Sequence, residues 1–441
     1  MEARHALPLR IGVGVFRRSA PVTRVLKGST GLRKVSPVNN EMTELSIERR
    51  AKRHVWSRDH DFLAVCAPGL EAACRAELSA LDSKVLTVIR GGVAFAGRLE
   101  AGYSANLWLR SAGRVLMRVD RFRAGAYEEI FSKSRKMYWE TLLAPGALLS
   151  FRTVVRYSRA GHTERVEKAI LDGIQARFNE LGLKRPMLVE PEGPSERLPE
   201  VQEVYVRMEG NQCLLSLDMS GPPLHFRGYR KDVHHAPIRE TMAAGLLLLM
   251  GWRREEPLLD PMCGSGAFPI EAALMGHNRA PGLRRDFAFT RWPCFRPKSW
   301  EYLLREAAKS ERNAPPLRLL GRDRDPDAIR AAEENFRRTG IEHRVAFETA
   351  DFFQTKAPFD SGVLAINPPY GKRVSTGSDP AKLYREIGRK IRADYGGWRV
   401  LILVPGWRAA QALHLNPRST VLLDHGGFPV LAVMTDAVKT I

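Results

Sequence analysis

Acidic residues are scarce in this 441-residue chain: 49 Asp and Glu stand against 69 Lys and Arg, a formal charge of +20. With a pI near 10.1, such a chain draws polyanions by counterion release, and nucleic acid is the first candidate. Cysteine is scarce too. The five, at 66, 74, 213, 263 and 294, show neither CxxC nor Cys/His ligand spacing. That argues against a disulfide framework or structural zinc and for a reducing, cytoplasmic setting. The adjacent His234 and His235 point apart on most backbones and lack a third ligand at a helical offset, so no metal is expected. Long apolar runs are absent. The greasiest stretch, residues 243–250, is far short of the roughly 20 residues that span a bilayer, and no secretory h-region is present.

What is there divides in three. Residues 1–58 are basic, poor in acids and without sustained hydrophobic periodicity. They are expected to be a disordered RNA-binding tail, a targeting peptide, or the product of an upstream start, with Met42 beginning a plausible chain. Residues 59–225 alternate short strands (62–66, 85–89, 93–95, 115–119, 147–156) with helices at 70–81, 103–109 and 164–181. Val166, Ile170, Ile174 and Phe178 carry the helical spacing of the last. Glu209-Gly210-Asn211 reads as the turn of a hairpin between 201–208 and 212–217. Such β/α units predict a small sheet with helices on one face. Residues 226–441 continue the strand–helix alternation to 400–404 and 429–434, which predicts a mostly parallel sheet with helices on both faces. Arginine clusters at 49–53 and 227–231 strengthen the nucleic-acid reading.

Four strand ends in the last region carry chemistry. Asp260 precedes Cys263-Gly264-Ser265-Gly266 and an apolar helix. The two glycines let backbone approach a ligand, and the helix start offers free N–H groups. The missing Lys-Ser/Thr excludes a P-loop. The apolar strand at 317–321 leads to Asp323, a carboxylate suited to a ribose diol. The strand at 345–350 ends in Asp351, able to accept from an adenine amino group. Each Asp alone also suits a helix N-cap or a solvated turn. The apolar run 363–366 ends in Asn367-Pro368-Pro369-Tyr370, where two prolines end the strand because neither can donate a ladder hydrogen bond. An amide oxygen, a rigid carbonyl and an aromatic face together suit an exocyclic amino group on a planar base.

On these residues the chain resembles class I S-adenosylmethionine-dependent methyltransferases, and more narrowly the bacterial ribosomal RNA guanine-N2 methyltransferases with a THUMP domain. The likeness spans roughly 60–441 and is most specific over 218–371, including DMSGPPLHFRGYR at 218–230 and APIRETMAAGLLLLMGW at 236–252. It implies an α/β fold: a Rossmann-like methyltransferase sheet preceded by a smaller α+β ferredoxin-like/THUMP module whose basic surface is the RNA platform. It also implies that Asp260, Cys263, Gly264 and Gly266 line the methionine end of S-adenosylmethionine. Asp323 would then hold the ribose, Asp351 the adenine, and Asn367 to Tyr370 the target base. The implied partner is 23S rRNA or a large-subunit precursor. Ala267-Phe268 departs from relatives that often carry Thr after the glycine turn. The best-known member has a second methyltransferase domain; with Ile441 ending this sequence, that dual activity is not expected. Transfer-RNA guanine-N2 methylation, adenine-N6 methylation, and a non-catalytic ribosome-assembly role are the alternatives.

Overall fold

The computed structural model describes residues 37–189, 200–231, 238–312, 317–342, 345–369, 380–425 and 428–439. Residues 45–441 form a compact unit. Helix α1 (Pro37–Ala51) is followed directly by a π-helical turn, Lys52–Trp56. Ile47, Ala51 and Val55 are buried, and Trp56 Nε1 donates to the Cys294 carbonyl at 2.7 Å. Packed structure therefore begins ahead of residue 59. Within the 49–53 cluster, Arg50 is engaged by the buried Glu140 carboxylate at 2.9 Å.

The first sheet comprises β1 (His60–Cys66), β2 (Lys84–Ile89), β3 (Gly92–Gly97), β4 (Ala112–Arg123), β5 (Leu148–Arg156), β6 (Met187–Leu188), β7 (Val201–Glu209) and β8 (Gln212–Asp218), in the order β2-β3-β1-β4-β8-β7-β5-β6. Helices α2 (Glu71–Ala80), α3 (Leu99–Trp108), α4 (Tyr127–Arg135) and α5 (Thr163–Glu180) intervene. The hairpin expected across Glu209-Gly210-Asn211 is the β7–β8 pair, and α5 buries Val166, Ile170, Ile174 and Phe178 as its spacing predicts. The sheet is larger than the sequence suggests. β4 runs through a bulge between Arg118 and Asp120, a device that bends a strand and lets it serve two neighbours. It pairs β1 on one side and β8 on the other, fusing two modules into eight continuous strands. Alternation puts Phe62, Phe95, Met117, Leu217 and Val204 in register on one face, and all five are buried.

The second sheet comprises β9 (Leu258–Asp260), β10 (Leu319–Asp323), β11 (Ala346–Thr349), β12 (Val363–Ile366), β13 (Arg399–Val404), β14 (Ser419–His425) and β15 (Phe428–Met434), in the order β11-β10-β9-β12-β13-β15-β14. The first five are parallel; β15 is antiparallel to both neighbours and closes the sheet as a hairpin with β14. Helices α6 (Glu240–Met250), α7 (Ala267–Gly276), α8 (Pro297–Lys309), α9 (Pro326–Thr339), α10 (Pro380–Asp394) and α11 (Trp407–Ala412) accompany it. Strand order reverses between β9 and β12. In open parallel sheets that switch point, at the strands' carboxyl ends, is where ligands bind.

The connector at 222–231 corrects one expectation. Arg227 and Arg230 are not a surface cluster for nucleic acid. Arg227 is buried, donates to the carbonyls of Leu224 at 2.6 Å and Arg110 at 2.5 Å, and lies 3.6 Å from Glu271. Arg230 donates to the Ile238 carbonyl and faces Glu240 at 3.3 Å. Both guanidiniums clamp the connector onto α6 and α7, where buried charge persists only when paired. His234 and His235 lie outside the described residues. No helix of the described residues is long and apolar enough to cross a membrane, and no cluster of His, Cys, Asp and Glu among them could hold a metal.

Candidate active site

β9 ends in Asp260, which is buried; its Oδ1 accepts from the Met262 N–H at 3.2 Å. Burial, reinforced by the nearby Asp323 charge, pushes its carboxyl well above the usual range. The turn that follows is shaped by two glycines in the left-handed region, Gly264 (φ 52°) and Gly266 (φ 83°). Their surroundings differ. A Cβ on Gly266 would stand 3.1 Å from Ala332 and 3.2 Å from Phe347, so this glycine serves packing. A Cβ on Gly264 would meet nothing within 4 Å. Gly264 thus presents bare backbone to open space, as close approach of a ligand requires. Helix α7 starts at Ala267 with Gly266 as N-cap and no side-chain capping bond, which leaves first-turn N–H groups for another partner.

Asp323, at the end of β10, binds the turn directly: Oδ2 accepts from the Gly264 N–H at 2.9 Å and Oδ1 from the Asp325 N–H at 3.0 Å. Asp325 caps α9 by accepting from the Asp327 N–H, so of this acidic pair one residue is a cap and the other reaches the glycine turn. Beyond β11, Asp351 accepts from the Phe353 N–H at 2.8 Å through Oδ1. The Ala350 N–H donates to the Asp323 carbonyl at 2.9 Å, which keeps these two strand ends side by side. Cys263 is buried; burial first, then Asp260 and Asp323, raises its thiol well above the ordinary value. A thiol shifted that way is a poor candidate for a nucleophile.

The Asn367-Pro368-Pro369 segment follows β12 directly. Pairing of Val363 with Leu258 and Leu364 with Leu259 brings Asn367 to the same edge as Asp260. Asn367 Oδ1 is buried and has no hydrogen-bond partner among the described residues. Leaving a buried acceptor unmet costs about 1–3 kcal/mol, and such exceptions mark sites awaiting a ligand. Tyr370 lies outside the described residues. The fold thus brings Asp260, Cys263, Gly264, Gly266, Asp323, Asp351 and Asn367 to the carboxyl ends of four neighbouring strands. Sequence reasoning missed Gly321, whose Cβ would stand 2.7 Å from Phe347 and 3.2 Å from Cys263 Sγ. A glycine inside an apolar strand is the signal for such close approach.

Residues 227–421 match the family described as RMKL-like, methyltransferase domain, and residues 61–116 the RlmL ferredoxin-like domain. A putative RNA methyltransferase of Synechocystis is 31% identical, over 83% of this chain and 94% of that protein. The chain belongs to the RMKL-like methyltransferase family. The ribosomal RNA large subunit methyltransferase K/L of Desulfotalea psychrophila is 33% identical over 383 residues, 83% of this chain and 51% of that protein. The chain thus spans about half the length of the K/L relatives it matches. A putative methyltransferase complexed with SAH superposes with a TM-score of 0.76 at 29% identity, over 87% of this chain and all of that one. The RMKL-like fold is therefore that of class I S-adenosylmethionine-dependent methyltransferases, with a ferredoxin-like module at residues 61–116.

Proposed function

We propose that this chain transfers a methyl group from S-adenosylmethionine to the exocyclic N2 of a guanine in RNA, with 23S rRNA as the substrate. The observation that carries the reading is the buried Asn367 Oδ1, without a hydrogen-bond partner among the described residues, at the end of the strand that pairs with β9. The site fits the donor. Gly264 leaves room for its methionine end, while Asp323 and Asp351 stand on successive strand ends as acceptors for ribose hydroxyls and an adenine amine. When bound, the sulfonium supplies a methyl group that is already strongly electrophilic, so the protein's contribution is position rather than acid–base power. Asn367 Oδ1 and the Pro368 carbonyl accept the two hydrogens of the guanine amine. That draws the nitrogen toward tetrahedral geometry and releases its lone pair from the ring. Tyr370 stacks on the flipped base, a contact worth about 1–3 kcal/mol in single-strand binders. The charge of +20 and the fused ferredoxin-like sheet favour a polynucleotide over a free base, and the RMKL-like family membership favours ribosomal RNA over DNA.

The test is methyl transfer from labelled S-adenosylmethionine into 23S, 16S and transfer RNA from a deletion strain, with nucleoside mass spectrometry. N2-methylguanosine in 23S RNA alone supports the proposal. Label in transfer RNA, or as N6-methyladenosine, overturns the substrate and keeps the site. No label in any RNA shifts weight to an assembly factor that binds without catalysis.

Asp323→Ala separates donor binding from chemistry. The variant loses one acceptor for the ribose and also the bond that orders Gly264. Charge-assisted hydrogen bonds contribute about 1.5–3 kcal/mol each, so donor affinity by calorimetry should fall roughly ten- to a hundredfold, with a smaller change in the rate at saturating donor. An unchanged dissociation constant removes Asp323 from the site.

A further inference from the structure

The carboxyl edge of the second sheet holds more than the donor site. β13 lies beside β12 with Ile402 opposite Ile366, so its end opens onto the same edge as Asn367. Three residues past that end stands Trp407, the first residue of α11. Of the eight tryptophans, seven are buried or half-buried, and Trp407 alone is exposed, at 64%. α11 turns Ala409 and Ala412 into the core; with 3.6 residues per turn, that puts Trp407 on the outer side. The backbone before it is built for the placement. Gly406 has φ 127° and ψ −178°, a region essentially reserved for glycine. A Cβ there would meet nothing within 4 Å, so this glycine shapes the chain path rather than the packing. The antiparallel register of β13 with β15 sets Val404 opposite Leu431. Carried three residues further, it sets Trp407 level with Phe428, which is 62% exposed. Neither ring stacks on another aromatic among the described residues, and the exposed Arg408 forms no ion pair among them. Single exposed apolar side chains are ordinary on protein surfaces. Two large aromatics and an unpaired cation, at the edge where Asn367 Oδ1 also lacks a partner among the described residues, are the combination that single-stranded nucleic acid uses.

We propose that Trp407 is the stacking platform for a nucleotide flanking the methylated one, with the Arg408 guanidinium available to its phosphate. The proposal rests on the reading of the substrate as RNA and deepens it: Asn367 takes the flipped base, Trp407 its neighbour. Flipping a base out costs the adjoining nucleotides a stacking partner. An indole face restores one without reading sequence, because every base has a π-face. Strand geometry, about 3.3 Å per residue along and about 5 Å across, starts Trp407 at most about 14 Å from Asn367. That is too far for the flipped base and within range of a nucleotide beside it. Because α11 is fixed by its buried face, the platform is rigid, and a held neighbour sets how the target enters the site. Trp407 touches no reacting atom; it is a positioning residue.

The test joins steady-state methyl transfer into 23S RNA from a deletion strain to a fluorescence titration of the donor-free full chain with a short mixed-sequence single-stranded RNA. Trp407→Ala should raise KM for RNA about ten- to a hundredfold, with a much smaller change in kcat and none in donor affinity. Trp407→Phe keeps an aromatic face and should retain most of the lost affinity. Stacking on a base quenches indole emission, so RNA should quench the wild type and quench Trp407→Phe far less, although that variant still binds. Tyr302→Ala removes an aromatic that is 56% exposed on α8 and should alter neither KM nor quenching. An unchanged KM in Trp407→Ala, a Phe variant as weak as the Ala variant, an equal loss in Tyr302→Ala, or equal quenching of wild type and Trp407→Phe overturns the platform. Wild-type protein that neither methylates nor binds RNA overturns the RNA reading itself, a result distinct from these.

Discussion

Asn367→Ala should nearly abolish methyl transfer while leaving donor affinity intact and the fold no less stable. The rate argument is one of transition-state charge. As the guanine nitrogen attacks, its hydrogens become more acidic, and an acceptor already aimed at them strengthens its bond on the way to the transition state. Removing one preorganised hydrogen-bonding group of this kind typically costs on the order of 10²–10³-fold in turnover. The stability argument runs the other way. Asn367 Oδ1 is buried without a partner among the described residues, so it contributes a desolvation penalty of about 1–3 kcal/mol to the folded state. Ala lacks that acceptor, and the variant should melt at or above the wild-type temperature. An asparagine that merely built a turn would give the reverse pattern, with little loss of rate and a lower melting temperature. Single-turnover rates, donor calorimetry and a thermal melt on the same preparations separate the two. Joint loss of rate and donor affinity would move Asn367 out of the base-binding role.

Why that residue was visible in the sequence is a local matter. A four-residue apolar run followed by two prolines ends a buried strand at a known place, and in a parallel sheet that end is the ligand edge. The glycine turn is visible for the same reason, since Gly264 and Gly266 both adopt positive φ. What joins these pieces was not visible. The bond from the Gly264 N–H to Asp323 spans 59 positions, and neither its existence nor the different duties of Gly264 and Gly266 follows from spacing. Asp323 and Asp325 look alike in the chain; only the fold makes one a helix cap and the other a brace for the turn.

The fold was legible to the same depth. The strands expected at 147–156, 201–208 and 212–217 and the helices at 70–81 and 164–181 fall within a residue or so of those bounds, because hydrophobic alternation is written locally, whereas α4 (Tyr127–Arg135) and α8 (Pro297–Lys309) were not read. The fusion of eight strands depends on a bulge in β4, an irregularity that alternation cannot announce. Arginine was the residue type most easily misjudged. In the sequence Arg227 and Arg230 look like a basic patch. Charge pairing is a long-range property, so both turn out to be internal clamps.

The clamp carries the second large effect. Glu271 is fully buried in α7, accepts from the Tyr229 hydroxyl at 3.0 Å, and faces Arg227 at 3.6 Å. The same guanidinium holds the Arg110 carbonyl, so one carboxylate joins the ferredoxin-like module, the connector and the helix that starts at the glycine turn. Glu271→Ala leaves a guanidinium without its counter-charge and a tyrosine without its acceptor. Removing one partner of a buried pair costs about 3–5 kcal/mol, a large part of a typical folding free energy. The urea midpoint should fall accordingly. The pair itself need not be net stabilising, because desolvating two ions offsets most of their attraction. Arg227→Met/Glu271→Leu should therefore recover most of the midpoint lost by Glu271→Ala alone. If the double variant were as unstable as the single, the missing term would be the hydrogen bonds to Tyr229, Leu224 and Arg110 rather than the buried charge. Donor affinity reports on the glycine turn in the same series. α7 rises about 1.5 Å per residue, which sets Glu271 roughly one turn from the helix start. A stable double variant with normal donor binding would make the clamp a matter of folding, whereas one with weakened binding would make it a brace for the active site.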